Sequence, residues 1–246
     1  MEWSDDLAAA LADLGWTPDS RLSAEDDLAL RRIAVETVGL LQRHALTDDE
    51  VERLALLAFE PIQFSILNVD ERTAMTWTYS QSRLFGPLVP LIDEATLAFY
   101  RGYYTAALAT LFVGLERYLR HAIGWTPGAP DPSFRDLRER AVAHFPESER
   151  RTTALRLLAG VYARYDAAAP PPFYFNRHGL LHGLRLPMQV DRMNCARAFV
   201  LFDCLVLAEP GSAGRGFIMS PVLESRLKLY KDCEALAVEM SLLRRC

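Results

Sequence analysis

The run Phe175-Asn176-Arg177-His178-Gly179-Leu180-Leu181-His182-Gly183 gathers more groups capable of catalysis than any other stretch of the chain. An arginine stands five residues before a histidine, with a second histidine and an asparagine at its sides. A guanidinium holds a phosphate in a fork of N–H donors, and an imidazole moves protons near neutral pH. These are the parts of a metal-free site for cleaving phosphodiesters. Arg177 would neutralise charge on the phosphoryl oxygens, and His182 would serve as general base or acid. His178 and Asn176 would position or assist. An attack of a 2′-hydroxyl on the adjacent phosphorus would leave a 2′,3′-cyclic phosphate.

Helical spacing arranges these groups further. With Asn176 as N-cap, Arg177 opens a helix, where backbone N–H groups and the macrodipole also favour an anion. His178 and His182 are four apart and share a face. Arg177 and His182 lie about 140° apart around a 3.6-residue helix, so they flank one groove without stacking. Gly179 and Gly183 each cost about 1 kcal/mol against alanine inside a helix. They make sense where a ligand or another helix, such as the same helix of a second subunit, approaches closely. A plainer reading stands beside this one. An Arg-x4-His spacing arises by chance in arginine-rich helices, both histidines can serve helix ends, and Asn176 can be a cap alone.

The elements that must position the run are helical almost throughout. Ser4 to Leu14 reads as a short helix with Ser4 as N-cap and Gly15 beyond its end. Ser23 caps a helix to about His44, and Thr47 with Glu50 forms a capping box that opens another to about Ala58. Glu60-Pro61 is expected to break that helix, and Phe64 to Val69 reads as either a short extended piece or a helical turn. From Leu84 the chain looks like a bundle. Helices are expected from Pro87 to Tyr100, Tyr104 to Ile123, Ser133 to Phe145 and Glu147 to Tyr165. The motif helix starts near Asn176, and two more run from Gln189 to Ala208 and from Pro221 to Arg244. No alternating strand pattern and no internal repeat is present.

Composition bounds the function. The 246 residues carry a formal charge of −5, so no domain-wide basic surface exists, and any RNA contact must be a local basic pocket on an acidic body. Lysine appears only at Lys228 and Lys231. With arginine supplying all other basic positions, no single arginine marks a site. Cys195, Cys204, Cys233 and Cys246 have no CxxC spacing and read as reduced thiols packed on helices. No run of about 18 apolar residues occurs and the N-terminus is acidic, so neither a membrane span nor a signal peptide is expected, and the location expected is cytoplasmic. No metal-binding spacing, no Gly-rich phosphate loop and no nucleophile elbow is found, so no cofactor and no metal are expected. His44, His121 and His144 are isolated and read as helix-end or surface residues. Glu116 reads as part of a solvated face, the alternative being that it orients Arg177 from a neighbouring helix.

The nine-residue run resembles the signature of HEPN-type domains, in particular of bacterial proteins with an Asn-Arg-His-x-x-x-His-Gly stretch before their last core helix. The segment Phe99-Tyr100-Arg101-Gly102-Tyr103-Tyr104-Thr105-Ala106-Ala107, leading into Leu115-Glu116-Arg117-Tyr118-Leu119-Arg120, is similar to the early pair of HEPN helices. Asn194 to Glu209 sits where that family has an apolar helix. The resemblance covers about Leu84 to Ala208, and nothing before residue 80 matches. It implies a four- or five-helix bundle, often a dimer with its cleft between two copies. Many members are metal-independent endoribonucleases of toxin–antitoxin, abortive-infection and other phage-defence systems, while others have lost catalysis and bind RNA or protein. The family's Arg-x4–6-His matches Arg177 and His182, its polar residue beside the arginine matches His178, and Asn176 stands on the other side. The chain departs after the motif, where Leu184-Arg185-Leu186-Pro187-Met188 is apolar and relatives carry a polar Tyr-Gly-Thr-like turn.

The expectation is thus an all-α, HEPN-like bundle over residues 81–246 with an additional N-terminal helical segment over residues 1–80. Its expected partners are RNA, a second copy in a homodimer, and an antitoxin or other protein. The alternative is a non-catalytic HEPN-like helical module that binds RNA or a protein partner.

Overall fold

The computed structural model describes residues 3–19, 21–143, 149–162, 177, 192–209 and 217–243. Among these residues the chain is all-helical and contains no strand. The α-helices are α1 (Asp5–Asp13), α2 (Ala24–Leu41), α3 (Asp48–Ser65), α4 (Val69–Gln81), α5 (Val89–Tyr100) and α6 (Tyr104–Ala122). They continue with α7 (Phe134–Val142), α8 (Glu149–Val161), α9 (Arg192–Ala208) and α10 (Pro221–Leu243), and a 3-10 turn at Gly86–Leu88 leads into α5. None of the described helices is long and apolar enough to cross a membrane.

Local chemistry sets the helix starts. The side chains of Ser4, Ser23, Thr47 and Ser133 accept hydrogen bonds from the backbone N–H groups of Leu7, Asp26, Glu50 and Asp136. Each such cap is worth about 1 kcal/mol. Both halves of the Thr47–Glu50 box are made. The Arg101–Tyr103 joint turns on Gly102, whose φ of 78° suits glycine.

Two expectations fail between residues 58 and 81. Pro61 does not end α3, which runs on to Ser65 with the proline inside it. Leu54, Ala55, Ala58, Ile62 and Ile66 are fully buried along one face that crosses the proline, and this burial offsets the lost backbone hydrogen bond. Asn68 then caps a separate helix, α4, by accepting from the N–H of Glu71 at 2.9 Å. Periodicity misses α4 because its buried face mixes Val69 and Met75 with Arg72, Thr73, Thr76 and Tyr79, so no apolar stripe marks it.

Helix α9 runs through the core, and every side chain from Met193 to Val206 is buried. It packs on α8, α6, α3 and α4, while α10 covers α4 and α5 and α1 lies on α2 and α8. Leu11, Leu14 and Trp16 from the first 80 residues and Phe85, Phe112, Tyr118, Phe199 and Phe202 from the rest belong to a single cluster of buried side chains. Of the cysteines, Cys195, Cys204 and Cys233 are buried on helices; Cys246 lies outside the described residues.

Three charged side chains sit inside this core. Asp203 of α9 accepts from Arg72 Nη1 at 2.7 and 2.9 Å, from Arg21 Nη2 at 2.7 Å and from the Tyr79 hydroxyl. Arg72 also packs on the Phe199 ring, 4.7 Å from its centroid, and Arg21 is held by Asp19. Burial alone would push the Asp203 carboxyl up, but the Arg72 and Arg21 cations and the two hydrogen bonds outweigh it and hold it below the usual carboxylate range. Six residues earlier on the same helix, Arg197 donates to Asn194 Oδ1 at 2.9 Å and to the Leu14 carbonyl at 3.1 Å. Its guanidinium lies so close to Gly15 that a Cβ there would come within 2.7 Å of Nε, and Gly15 also has a φ of +84°. Only glycine fits that corner.

Asp203→Asn leaves buried Arg72 without its counter-charge, while Arg21 keeps Asp19, and is expected to cost about 3–5 kcal/mol in urea unfolding, whereas Arg72→Met/Asp203→Leu recovers a large part of the loss. The folded-state pKa of Asp203 is depressed. Its contribution is therefore present above the unfolded value of about 3.9 and is lost as pH falls through the folded value. A stability profile from pH 7 to pH 2 is expected to fall less steeply for Asp203→Asn than for the wild type, and superimposable slopes would exclude Asp203 as a source of acid lability.

Candidate functional site around Arg177

Helix α6 is amphipathic. Ala107, Leu108, Leu111, Phe112, Leu115, Tyr118 and Leu119 face the core, leaving Glu116, Arg117, Arg120 and His121 along the outer flank. The helix ends in a glycine cap. Gly124, with a φ of +69°, sends its N–H to the His121 carbonyl at 3.0 Å, and Trp125 sends its N–H to the Arg120 carbonyl at 2.9 Å. This pair of reversed bonds folds residue 125 back over the last turn. The Arg120 guanidinium consequently lies 4.5 Å from the Trp125 ring centroid. The Trp125 indole N–H donates to the Pro130 carbonyl at 3.2 Å, and Arg120 reaches Asp131 at 2.8 Å.

Glu116 is the hinge of the charge arrangement. One carboxylate oxygen accepts from Arg120 Nη2 at 3.1 Å, and the other accepts from Arg177 Nη2. It is therefore not the solvated residue expected from the sequence. Its side chain is 23 % exposed, and it orients Arg177 from a neighbouring helix, the alternative left open above. The Arg177 guanidinium also packs near the Phe134 and Tyr162 rings, 5.1 and 5.9 Å from their centroids, and those two rings stack on each other at 4.9 Å. Arg177 is 15 % exposed, its Nε–H is buried, and that N–H has no acceptor among the described residues. The Tyr162 hydroxyl is likewise buried without a partner among them, and burial pushes its pKa up.

Of the four expected site residues, only Arg177 is among the described residues. Asn176, His178 and His182 lie outside them. The structure brings Arg177 together with Glu116, Arg120, Phe134 and Tyr162. Of these only Glu116 was singled out in the sequence. Glu116 and Arg120 stand at i, i+4 just before a Gly-Trp pair, and that was the available signal for an ordered charged pair at a helix end. His121 is exposed in the last turn of α6, and His44 lies just beyond α2 within 3.1 Å of Glu50. His144 lies outside the described residues.

Two surface grooves flank the end of α6. One, of about 430 Å³, is lined by Glu116, Arg117, Arg120, His121 and Trp125. The other, of about 890 Å³, is lined by Arg83, His121, Gly124, Arg140 and Glu209. His121 borders both.

No protein-family model, no curated protein and no solved structure matches this chain.

The Glu116–Arg177 pair fastens the motif arginine to α6. A Glu116→Ala/Arg177→Ala double-mutant cycle, read by urea unfolding, is expected to give a coupling of about 0.5–3 kcal/mol. Additive single effects would show that the pair holds nothing. Arg177→Lys is expected to behave like the alanine variant, because a point charge does not replace the planar fork between the Glu116 carboxylate and the two rings.

Proposed function

We propose that the chain is a metal-independent endoribonuclease of the HEPN type, working as a homodimer in a toxin–antitoxin or phage-defence setting. The observation that carries this reading is the setting of Arg177. Its guanidinium is held on one edge by Glu116, whose other oxygen holds an arginine of a cationic surface groove. A carboxylate that fixes one edge of a guanidinium leaves the remaining N–H donors aimed, which is how a phosphate clamp is preorganised.

In the proposed reaction the RNA 2′-hydroxyl attacks the adjacent phosphorus. The 2′-O–P bond forms and the P–O5′ bond breaks. His182 takes the proton from the 2′-hydroxyl or delivers one to the departing 5′-oxygen, and Arg177 neutralises the charge that grows on the phosphoryl oxygens. His178 and Asn176 position the linkage. The products are a 2′,3′-cyclic phosphate and a 5′-hydroxyl, and no metal enters. Partners in this reading are RNA and, for restraint of a toxin, an antitoxin.

A second reading is favoured by one observation. At 15 % exposure Arg177 is largely enclosed by Glu116, Phe134 and Tyr162, which suits a residue that pins helices together in a non-catalytic HEPN-like module binding RNA or protein.

The test uses the full chain with mixed RNA in EDTA. Cleavage leaving 2′,3′-cyclic phosphate ends is expected. It should fall at least about 100-fold in His182→Ala, with helical content and melting unchanged. Absence of cleavage of any RNA by the wild type, together with a stable protein partner in pull-down, supports the module reading instead.

A further inference from the structure

We propose that the two grooves at the end of α6 form one binding track for single-stranded RNA, with Arg83, Arg117 and Arg140 as phosphate contacts and the Arg120–Trp125 pair as a stacking surface. This deepens the ribonuclease reading and rests on it for the identity of the nucleic acid.

The argument begins with charge. The chain carries −5 overall, yet among the described residues the two grooves are lined by four arginines and His121 against two carboxylates, Glu116 and Glu209. Neither carboxylate opposes an anion in the grooves freely. Glu116 is spent on Arg120 and Arg177, and half-buried Glu209 accepts from the Ser82 hydroxyl at 2.6 Å. Burial pushes the Glu209 carboxyl above its usual range, against the pull of that hydrogen bond.

The cations differ in the same way. Arg120 is already bound by Glu116 and Asp131. Arg83, Arg117 and Arg140 are exposed, and none makes an ion pair with a described residue. Three guanidinium groups that border two grooves without an ion pair to a described residue are a local anion-attracting surface on an acidic body. The grooves meet at exposed His121, whose imidazole supplies a hydrogen-bonding group at the junction.

The aromatic component distinguishes a single strand from a duplex. Trp125 lines the smaller groove with the Arg120 guanidinium 4.5 Å from its ring centroid, which makes a flat π surface on the groove wall. Such a surface takes an unstacked base, and a base is free to reach it only from a single strand. The Gly124 cap and the Trp125–Pro130 bond hold the ring in place before any ligand arrives.

The experiment measures binding apart from cleavage. A fluorescently labelled 12-nucleotide oligouridylate is titrated with His182→Ala protein in EDTA, across a range of salt concentrations, and read by anisotropy. Adding Arg83→Ala, Arg117→Ala and Arg140→Ala is expected to weaken binding at least about tenfold and to lower the salt slope by about 2, since each lost phosphate contact removes about 0.7. Adding Trp125→Ala is expected to weaken binding at least about fivefold with the salt slope kept, and Arg101→Ala, an exposed control away from the grooves, leaves it unchanged. A duplex of the same length should bind more weakly than the single strand. Undiminished binding in the triple variant overturns the track, and so does tighter binding of an acidic peptide than of the oligonucleotide. The two readings fail separately. RNA that binds the grooves and is never cut by wild-type protein overturns the nuclease and leaves the track standing. RNA that is cut equally by wild-type protein and by the Arg83→Ala/Arg117→Ala/Arg140→Ala variant overturns the track and leaves the nuclease.

Discussion

The buried carboxylate of Asp203 is the constraint on which the arrangement depends. An isolated charge in so apolar a helix as α9 would cost several kcal/mol, and the fold meets that cost by bringing two arginines and a tyrosine to it. Arg72 comes from α4 and Arg21 from the connection between α1 and α2, so the requirement to neutralise one residue of α9 fixes where two separate N-terminal pieces must lie. Arg197, earlier on the same helix, does the same for Leu14 and Gly15. Apolar packing supplies the driving force, and the charged contacts select one register among the many in which greasy helices could stack.

The same economy recurs at the surface with a different outcome. Glu116 divides its two oxygens between Arg120 and Arg177, which ties the motif to the outer flank of α6. Glu116 and Asp131 are committed to Arg120 and Arg177, and the neighbouring Arg83, Arg117 and Arg140 make no ion pair with a described residue. A chain with an excess of acid thus presents a cationic strip where α6 ends. The glycine cap contributes by returning Trp125 over the last turn, so one local backbone feature supplies both the helix stop and the aromatic wall.

Much of this was legible in the sequence, and the failures have physical causes. Helix starts were readable because Ser4, Ser23, Thr47 and Ser133 act on backbone groups three residues away, a purely local interaction. Amphipathic α6 announced itself through the aliphatic and aromatic stripe of its core face. Helix α4 did not, because only Val69 and Met75 of its buried residues lack a polar group, while buried Arg72 and Tyr79 find their partner, Asp203, far away in the chain. Pro61 misled because a proline's cost is local while the burial that overcomes it is tertiary. The motif marked Arg177 by type and spacing. Nothing in the motif named Phe134 and Tyr162 as neighbours of Arg177, since they stand at other places in the chain and no local spacing links them to it.

One feature of the core bears on how the molecule comes into being. The partners of Asp203 lie 131 and 182 residues before it, and its tyrosine lies 124 residues before it. During synthesis the first helices therefore emerge with Arg72 awaiting a counter-charge on a helix that the ribosome has yet to make. The core is completed only after four-fifths of the chain has been translated, and closing loops of that length places this protein among slow folders for an all-helical chain. Helices that would each form in microseconds must wait for a late arrival, and until then the apolar faces of α3, α4 and α6 that it covers have no partner from α9.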